Sequence, residues 1–231
     1  MKPTHLSITI LCVFSFFIIG CSHTNELAKY RLTGLRYVSE SSVESGAANV
    51  DISFDQMSAG SNPVTGILVA IGEGITTAEA TNKLERAVKP AGVAASIAHG
   101  FERDLIRYLE VQRGASGDSI PDLIVNTHLE ELKFHSGSSG VFVKIKAQTT
   151  IIDRASAAIV WQNREETEMP IRNSGNATGV PILGTIVGIV NAAEFFKLSE
   201  KEIQDIVLSS AEDVGYLMGE TLREDAAKTK K

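Results

Sequence analysis

Between residues 122 and 169 the chain carries three successive runs in which apolar side chains alternate with polar ones, and this alternation limits the fold more than any other feature. A period of two places alternate side chains on opposite faces of an extended strand. Residues 122–134 bring Leu123, Val125, Thr127 and Leu129 to one face. Residues 141–152 set Val141, Val143, Ile145, Ala147, Thr149 and Ile151 against Lys144, Lys146 and Gln148, and residues 157–169 return as a third strand containing Trp161. The connections are short: Ser136-Gly137-Ser138-Ser139-Gly140 reads as a hairpin loop and Asp153-Arg154-Ala155-Ser156 as a turn. Three strands so joined predict an antiparallel meander with one buried face.

A fourth strand is expected at residues 49–55, where Val50, Ile52 and Phe54 alternate. Thr76-Thr77-Ala78-Glu79 has capping-box spacing and starts a helix, which Pro90 interrupts by removing a backbone donor and disfavouring helix at Lys89. A second helix over residues 93–112 places Val93, Ile97, Phe101, Leu105 and Leu109 four apart. Ser199-Glu200-Lys201-Glu202 repeats the capping box, and Ile203, Ile206, Val207, Val214, Leu217, Met218 and Leu222 form the stripe of a last helix ending near Arg223. Together these elements predict an α+β fold, a mostly antiparallel sheet of about four strands with amphipathic helices packed on one face.

The first 21 residues are of another kind. After Lys2 there is no charged residue from Leu6 to Gly20, an apolar run of signal-peptide length that ends in Phe16-Phe17-Ile18-Ile19-Gly20-Cys21. A spanning helix needs about 20 apolar residues, and Ser22, His23, Asn25 and Glu26 end this run too early. Ile18-Ile19-Gly20-Cys21 resembles the lipobox of bacterial lipoproteins. The resemblance implies cleavage before Cys21, a diacylglyceryl thioether and further acyl lipid on Cys21, and a mature chain beginning there. The other cysteine, Cys12, would leave with the signal peptide, so no disulfide is expected. Ser22, where an aspartate would signal inner-membrane retention in enteric-type bacteria, implies the periplasmic face of the outer membrane. Two or three acyl chains make a durable anchor, since each buried methylene contributes about 0.8 kcal/mol.

The expected organisation is a signal peptide at residues 1–20, a lipidated amino terminus and tether at 21–48, one periplasmic domain at 49–226 and a basic tail at 227–231. Losing residues 1–20 removes one lysine and no acid, which takes the formal net charge from −6 to −7. That balance argues against a nucleic-acid partner, which needs clustered Lys and Arg. Lys228-Thr229-Lys230-Lys231 is the basic cluster, read as a solvated tail that complements the end of a helix.

Residues 56–72 and 173–193 carry no charge. The second has an apolar core of about a dozen residues interrupted by Pro181, too short to span a bilayer. One reading makes these stretches two loops packed over the core. The other makes them a contact surface for a membrane or protein partner, through Ile67, Leu68, Val69, Ile182, Leu183, Ile186, Val187 and Ile189.

No catalytic constellation emerges. His128 and His135 lie on one strand without a cysteine or a His-Glu helix spacing to complete a metal site, and His99 falls among small residues of a helix. Gly72-Glu73-Gly74 makes no phosphate loop, and no serine sits in a Gly-x-Ser-x-Gly elbow. Glu130-Glu131 and Glu165-Glu166 are adjacent carboxylates expected to point to opposite faces of their strands. Neither a cofactor, beyond the lipid on Cys21, nor a metal is expected.

The strand, turn and strand around Ile151-Ile152-Asp153-Arg154 and Ile159-Val160-Trp161, followed by the amphipathic last helix, looks similar to the periplasmic domains of poorly characterised envelope lipoproteins. The resemblance implies an α/β or α+β periplasmic module that binds protein, and the expected function is a non-enzymatic scaffold or accessory in an envelope assembly or transport system with an envelope protein as partner. The alternative is a binding module for a lipid or small apolar ligand, its cleft lined by the two uncharged stretches.

Overall fold

The three alternating runs form the longest strands of a mixed, seven-stranded sheet. The computed structural model describes residues 23–47, 51–54, 77–114, 120–137, 140–171 and 195–229. In chain order these comprise β1 (Thr24–Asn25), β2 (Arg36–Val43), β3 (Asp51–Phe54), α1 (Thr77–Ala87), α2 (Pro90–Leu109), β4 (Gln112–Arg113), β5 (Leu123–Gly137), β6 (Gly140–Asp153), β7 (Ala158–Pro170) and α3 (Glu200–Thr229), with a short 3-10 turn at Leu27–Lys29. The fold is α+β.

The strand order is β1-β7-β6-β5-β2-β4, with β3 also paired to β5. β5, β6 and β7 form the expected antiparallel meander. The remaining side of β5 is shared between two parallel strands. Tyr37 to Val43 of β2 pair with Leu123 to Leu129, and Asp51 to Phe54 of β3 continue along the same side against Lys133 to Ser136. The sheet therefore has more strands than the four expected and is mixed. A parallel pair needs a long crossover, which the segment holding α1 and α2 supplies.

The expected tether is the main departure. Within residues 21–48, β2 enters the sheet, β1 pairs with β7, and Leu27, Leu32 and Tyr37 are buried. Ser39 and Ser41, which stand on the side of β2 facing α2 where apolar residues would be expected, mask its strand character. The basic tail departs similarly, because α3 runs through to Thr229 instead of ending near Arg223.

Local chemistry sets the helix ends. Lys89 is extended (φ −109°, ψ 114°) ahead of Pro90, so α2 starts at the proline and not at Val93. It stops at Glu110, whose φ of 55° is left-handed, and Gln112, expected to end the helix, instead forms β4 with Arg113. Ser199 caps α3: its hydroxyl accepts from the Glu202 N–H at 3.2 Å while the Glu202 carboxylate accepts from the Ser199 N–H at 2.7 Å.

α2 and α3 lie over one face of the sheet, and α1 packs against α3. Val93, Ile97, Phe101 and Leu105 of α2 and Val214, Met218 and Leu222 of α3 are fully buried there. Trp161 is stacked on Phe101 with ring centroids 5.4 Å apart. α2 and α3 approach backbone to backbone at a glycine seam. A Cβ on Gly215 would lie 2.8 Å from the Phe101 nitrogen and nearer still to the Ile97 carbonyl oxygen, and one on Gly219 would lie 2.6 Å from an Asp104 carboxylate oxygen.

Most of the opposite face of the sheet is polar and cross-linked by charge, while Val38, Ile124, Ile152 and Ile159, in register on four neighbouring strands, form an apolar row across it. Lys144 lies 2.7 Å from Glu166 and 3.7 Å from Glu131, and Lys146 lies 3.1 Å from Glu166. These two lysines pull the Glu166 carboxyl down to about 2.

Candidate functional site

The residues assigned a role from sequence, Cys21 and the eight apolar residues from Ile67 to Ile189, lie outside the described residues. A single residue, Ser22, separates Cys21 from His23, and from His23 onward the chain is attached to the domain.

The attachment is built in three layers. Thr24 and Asn25 pair antiparallel with Gln162 and Trp161, and the Glu26 N–H donates to the Val160 carbonyl at 2.9 Å. The Asn25 side-chain oxygen accepts from the Leu27 N–H at 3.2 Å, turning the chain so that Leu27 enters the core at 4 % exposure. Third, the His23 ring Nε2 lies 2.9 Å from Oδ2 of Asp225 on α3.

Asp225 is buried and gathers its neighbours. Oδ2 also accepts from the Trp161 indole N–H at 3.0 Å, while Oδ1 accepts from the Lys228 ammonium at 2.9 Å. Burial pushes its pKa up, but the hydrogen bonds from Lys228 and Trp161 and the charge of His23 outweigh that effect, leaving the carboxyl below its ordinary value. One carboxylate thus joins the amino-terminal segment, the sheet and the end of the last helix.

A second feature lies towards the other edge of the sheet, about three strand spacings or ~14 Å from β7. Between β2 and α2 a cleft of ≈ 170 Å³ is lined by Ser39, Ser41, Ala95, Ala98, His99, Glu102 and Arg113. Alternation along β2 sends Tyr37, Ser39 and Ser41 towards α2, and the small Ala95 and Ala98 leave room above them. Glu102 is committed to Arg113 at 3.2 Å. Next to this pair the Tyr37 hydroxyl is buried without a hydrogen-bond partner among the described residues. Burial first, then the charge of Glu102, pushes it up to about 12 against the pull of Arg113. The lining is polar and does not supply the apolar cleft of the ligand-binding alternative. His99 is the one sequence-weighed residue found here; the serines and Arg113 were missed because only the parallel pairing of β2 brings them beneath α2.

The remaining candidates are placed elsewhere. His128 lies 3.0 Å from both Ser42 and Glu44, and His135 lies 3.1 Å from Glu168. Among the described residues no three His, Cys, Asp or Glu side chains converge as a metal set. Glu165 and Glu166 take opposite faces, the first accepting from Asn163 and the second from the two lysines. Glu130 and Glu131 do not. A bulge between Leu129 and Glu131 breaks the alternation, so Glu130 meets Arg164 and Glu131 meets Lys133 and Lys144 on the same polar face.

No family model matches the chain, and no curated protein does. Solved structures share a distant likeness. A Xanthomonas campestris protein under the family model DUF330 is 10% identical, covering 87% of this chain and 89% of its own at a TM-score of 0.40. A PelC dodecamer from Paraburkholderia phytofirmans is 13% identical over 64% of this chain and 80% of its own, at a TM-score of 0.25. Likeness at this level assigns neither family nor activity. Among the described residues no helix is long and apolar enough to cross a membrane.

Proposed function

We propose that the protein is a lipid-anchored envelope lipoprotein, held by acyl chains on Cys21 at the periplasmic face of the outer membrane, and that it acts as a non-enzymatic scaffold or accessory in an envelope assembly or transport system. The observation that carries this reading is the apolar run ending in Ile18-Ile19-Gly20-Cys21 directly ahead of a folded domain. Two features agree with it. Every described element lies downstream of Cys21, so cleavage there would remove none of the sheet or helix contacts, those of His23, Thr24 and Asn25 included. Its sheet presents a broad polar face whose charges are paired with one another, as in Lys144 with Glu131 and Glu166. Such a face suits reversible contact with a protein better than chemistry on a small substrate.

In-cell crosslinking of the full-length protein beside a Cys21→Ser variant tests the reading. Capture of a reproducible envelope protein by the wild type, lost in the variant, is expected. An acylated protein that captures no protein partner argues against the scaffold role.

A second reading, a binding module, draws support from the partnerless Tyr37 hydroxyl beside the cleft. The polar lining there suits a small polar ligand, and the apolar cleft expected from sequence would be lined by stretches that lie outside the described residues. Mass spectrometry of small molecules released on denaturing the purified protein would reveal a stoichiometric compound if this reading holds, and none if it does not.

A further inference from the structure

We infer that the anchored domain is moored flush against the bilayer, with the corner formed by β1, the start of β7 and the end of α3 resting on lipid headgroups. This inference rests on the acylation of Cys21 proposed above and adds the surface that meets the membrane.

Little chain separates Cys21 from the first residue held by the sheet and the last helix. A lipidated Cys21 places its backbone at the headgroup level. Two Cα steps separate it from His23, a reach of at most ~7 Å when fully extended. His23 is not free to extend that reach, because its ring is paired with Asp225 at 2.9 Å and the next two residues are hydrogen-bonded into the sheet. A tether over residues 22–48 would have let the domain stand off by tens of ångströms; the strand pairing removes it.

Basic residues follow the same corner in sequence. The carboxylate that holds His23 also holds Lys228, so the end of α3 lies at the same corner. Lys228 is already paired, but the sequence continues with Lys230 and Lys231 only two and three residues further on. The basic cluster of an otherwise acidic chain therefore follows directly from the anchored corner. Each lysine close to an anionic lipid surface contributes about 1 kcal/mol, which is set against the exposed carboxylates of Glu220 and Glu224 on the same end of α3, so the short chain to Cys21 carries the mooring and the lysines offset those acids. Ala227, exposed in the last turns of α3, reports on this corner, and Gln112 of β4 reports on the far edge of the sheet, five strand spacings or roughly 24 Å away.

The mature chain has no thiol other than the blocked Cys21, so single cysteines can be labelled cleanly. Full-length acylated protein carrying Ala227→Cys or Gln112→Cys, each with a fluorophore, is reconstituted in phosphatidylethanolamine and phosphatidylglycerol vesicles containing a headgroup-borne quencher. A matched set has a Gly-Ser linker of about 20 residues, with an r.m.s. length of ~25 Å, inserted between Ser22 and His23. Intact mass establishes acylation of every sample, and unfolding curves establish the fold. Mooring requires several-fold stronger quenching at Ala227 than at Gln112, and a marked loss of that quenching on linker insertion. Acylated protein whose Ala227 label is quenched no more than in the linker variant overturns the mooring while leaving the anchor in place. An unmodified Cys21 removes the anchor itself, and the mooring with it.

Discussion

His23 and Asp225 lie 2.9 Å apart, so the chain just beyond Cys21 is fastened to the last helix of the fold. The same carboxylate oxygen takes the Trp161 indole N–H, which ties this fastening to the most deeply buried aromatic pair of the core, Trp161 on Phe101.

Replacing Asp225 with alanine leaves a buried indole donor and a histidine without their acceptor. The cost of a buried group left unpaired is about 1–3 kcal/mol, and Asp225→Ala is expected to lower unfolding stability within that range. Asp225→Asn keeps an acceptor of the same shape and should lose less. Urea unfolding of the three proteins distinguishes them; equal stability for all three contradicts the role assigned to this carboxylate.

The same residue gives the protein an acid-sensitive component of stability. Its pKa is lower folded than unfolded, so its contribution is present above the ordinary aspartate value and is lost as the pH falls through the lowered folded value. The difference in unfolding free energy between wild type and Asp225→Asn should therefore shrink on acidification below the ordinary carboxylate range.

At the glycine seam a single methyl group is expected to act strongly. Gly215→Ala drives a Cβ into the backbone of Ile97 and Phe101, where no flexible side chain can yield. Overpacking typically costs about 1–3 kcal/mol, and more where backbone must move. Gly92→Ala meets only a Leu208 methyl at an ordinary 3.7 Å and serves as the control, with little loss expected. Thermal unfolding of both variants decides the matter.

Tyr37→Phe removes a hydroxyl that has no partner among the described residues, so stability should be unchanged or rise by up to about 1–2 kcal/mol. Ultraviolet titration of the wild type should show this phenol still protonated at a pH where a free tyrosine side chain has ionised, consistent with its shift up to about 12. A clear loss of stability in the variant would mean that the hydroxyl is satisfied after all, and would weaken the case for a ligand there.

On the open face, Lys144 and Lys146 draw the Glu166 carboxyl to about 2. Its side-chain carbon resonance should titrate near that value at low salt and move upward at high salt, because exposed pairs are screened. Titration in the ordinary glutamate range would show that the ladder is not formed in solution.

The parts of this fold that could be read from sequence are those where local signals agree. Strict alternation in β6, proline ahead of α2 and the Ser199–Glu202 box each specify one local structure, and each is realised. β2 was hidden because its face towards α2 carries Ser39 and Ser41 in place of apolar residues, and its neighbour β5 is distant in sequence. The bulge at Glu130 is visible in retrospect as a shift of the buried positions from Leu129 to Leu132, three residues on instead of two. The cleft and the Asp225 junction could not be read, since each is assembled by pairing between segments that local periodicity does not connect. Cys21 is the reverse case, legible as a motif with no fold required.

Mass spectrometry of the amino-terminal peptide of protein purified from bacterial membranes bears most directly on the central claim. A peptide beginning at Cys21 and carrying the mass of a thioether-linked diacylglycerol, absent from the Cys21→Ser variant, is the expected result. A peptide that retains Met1, or that begins at Cys21 with an unmodified thiol, would contradict the account.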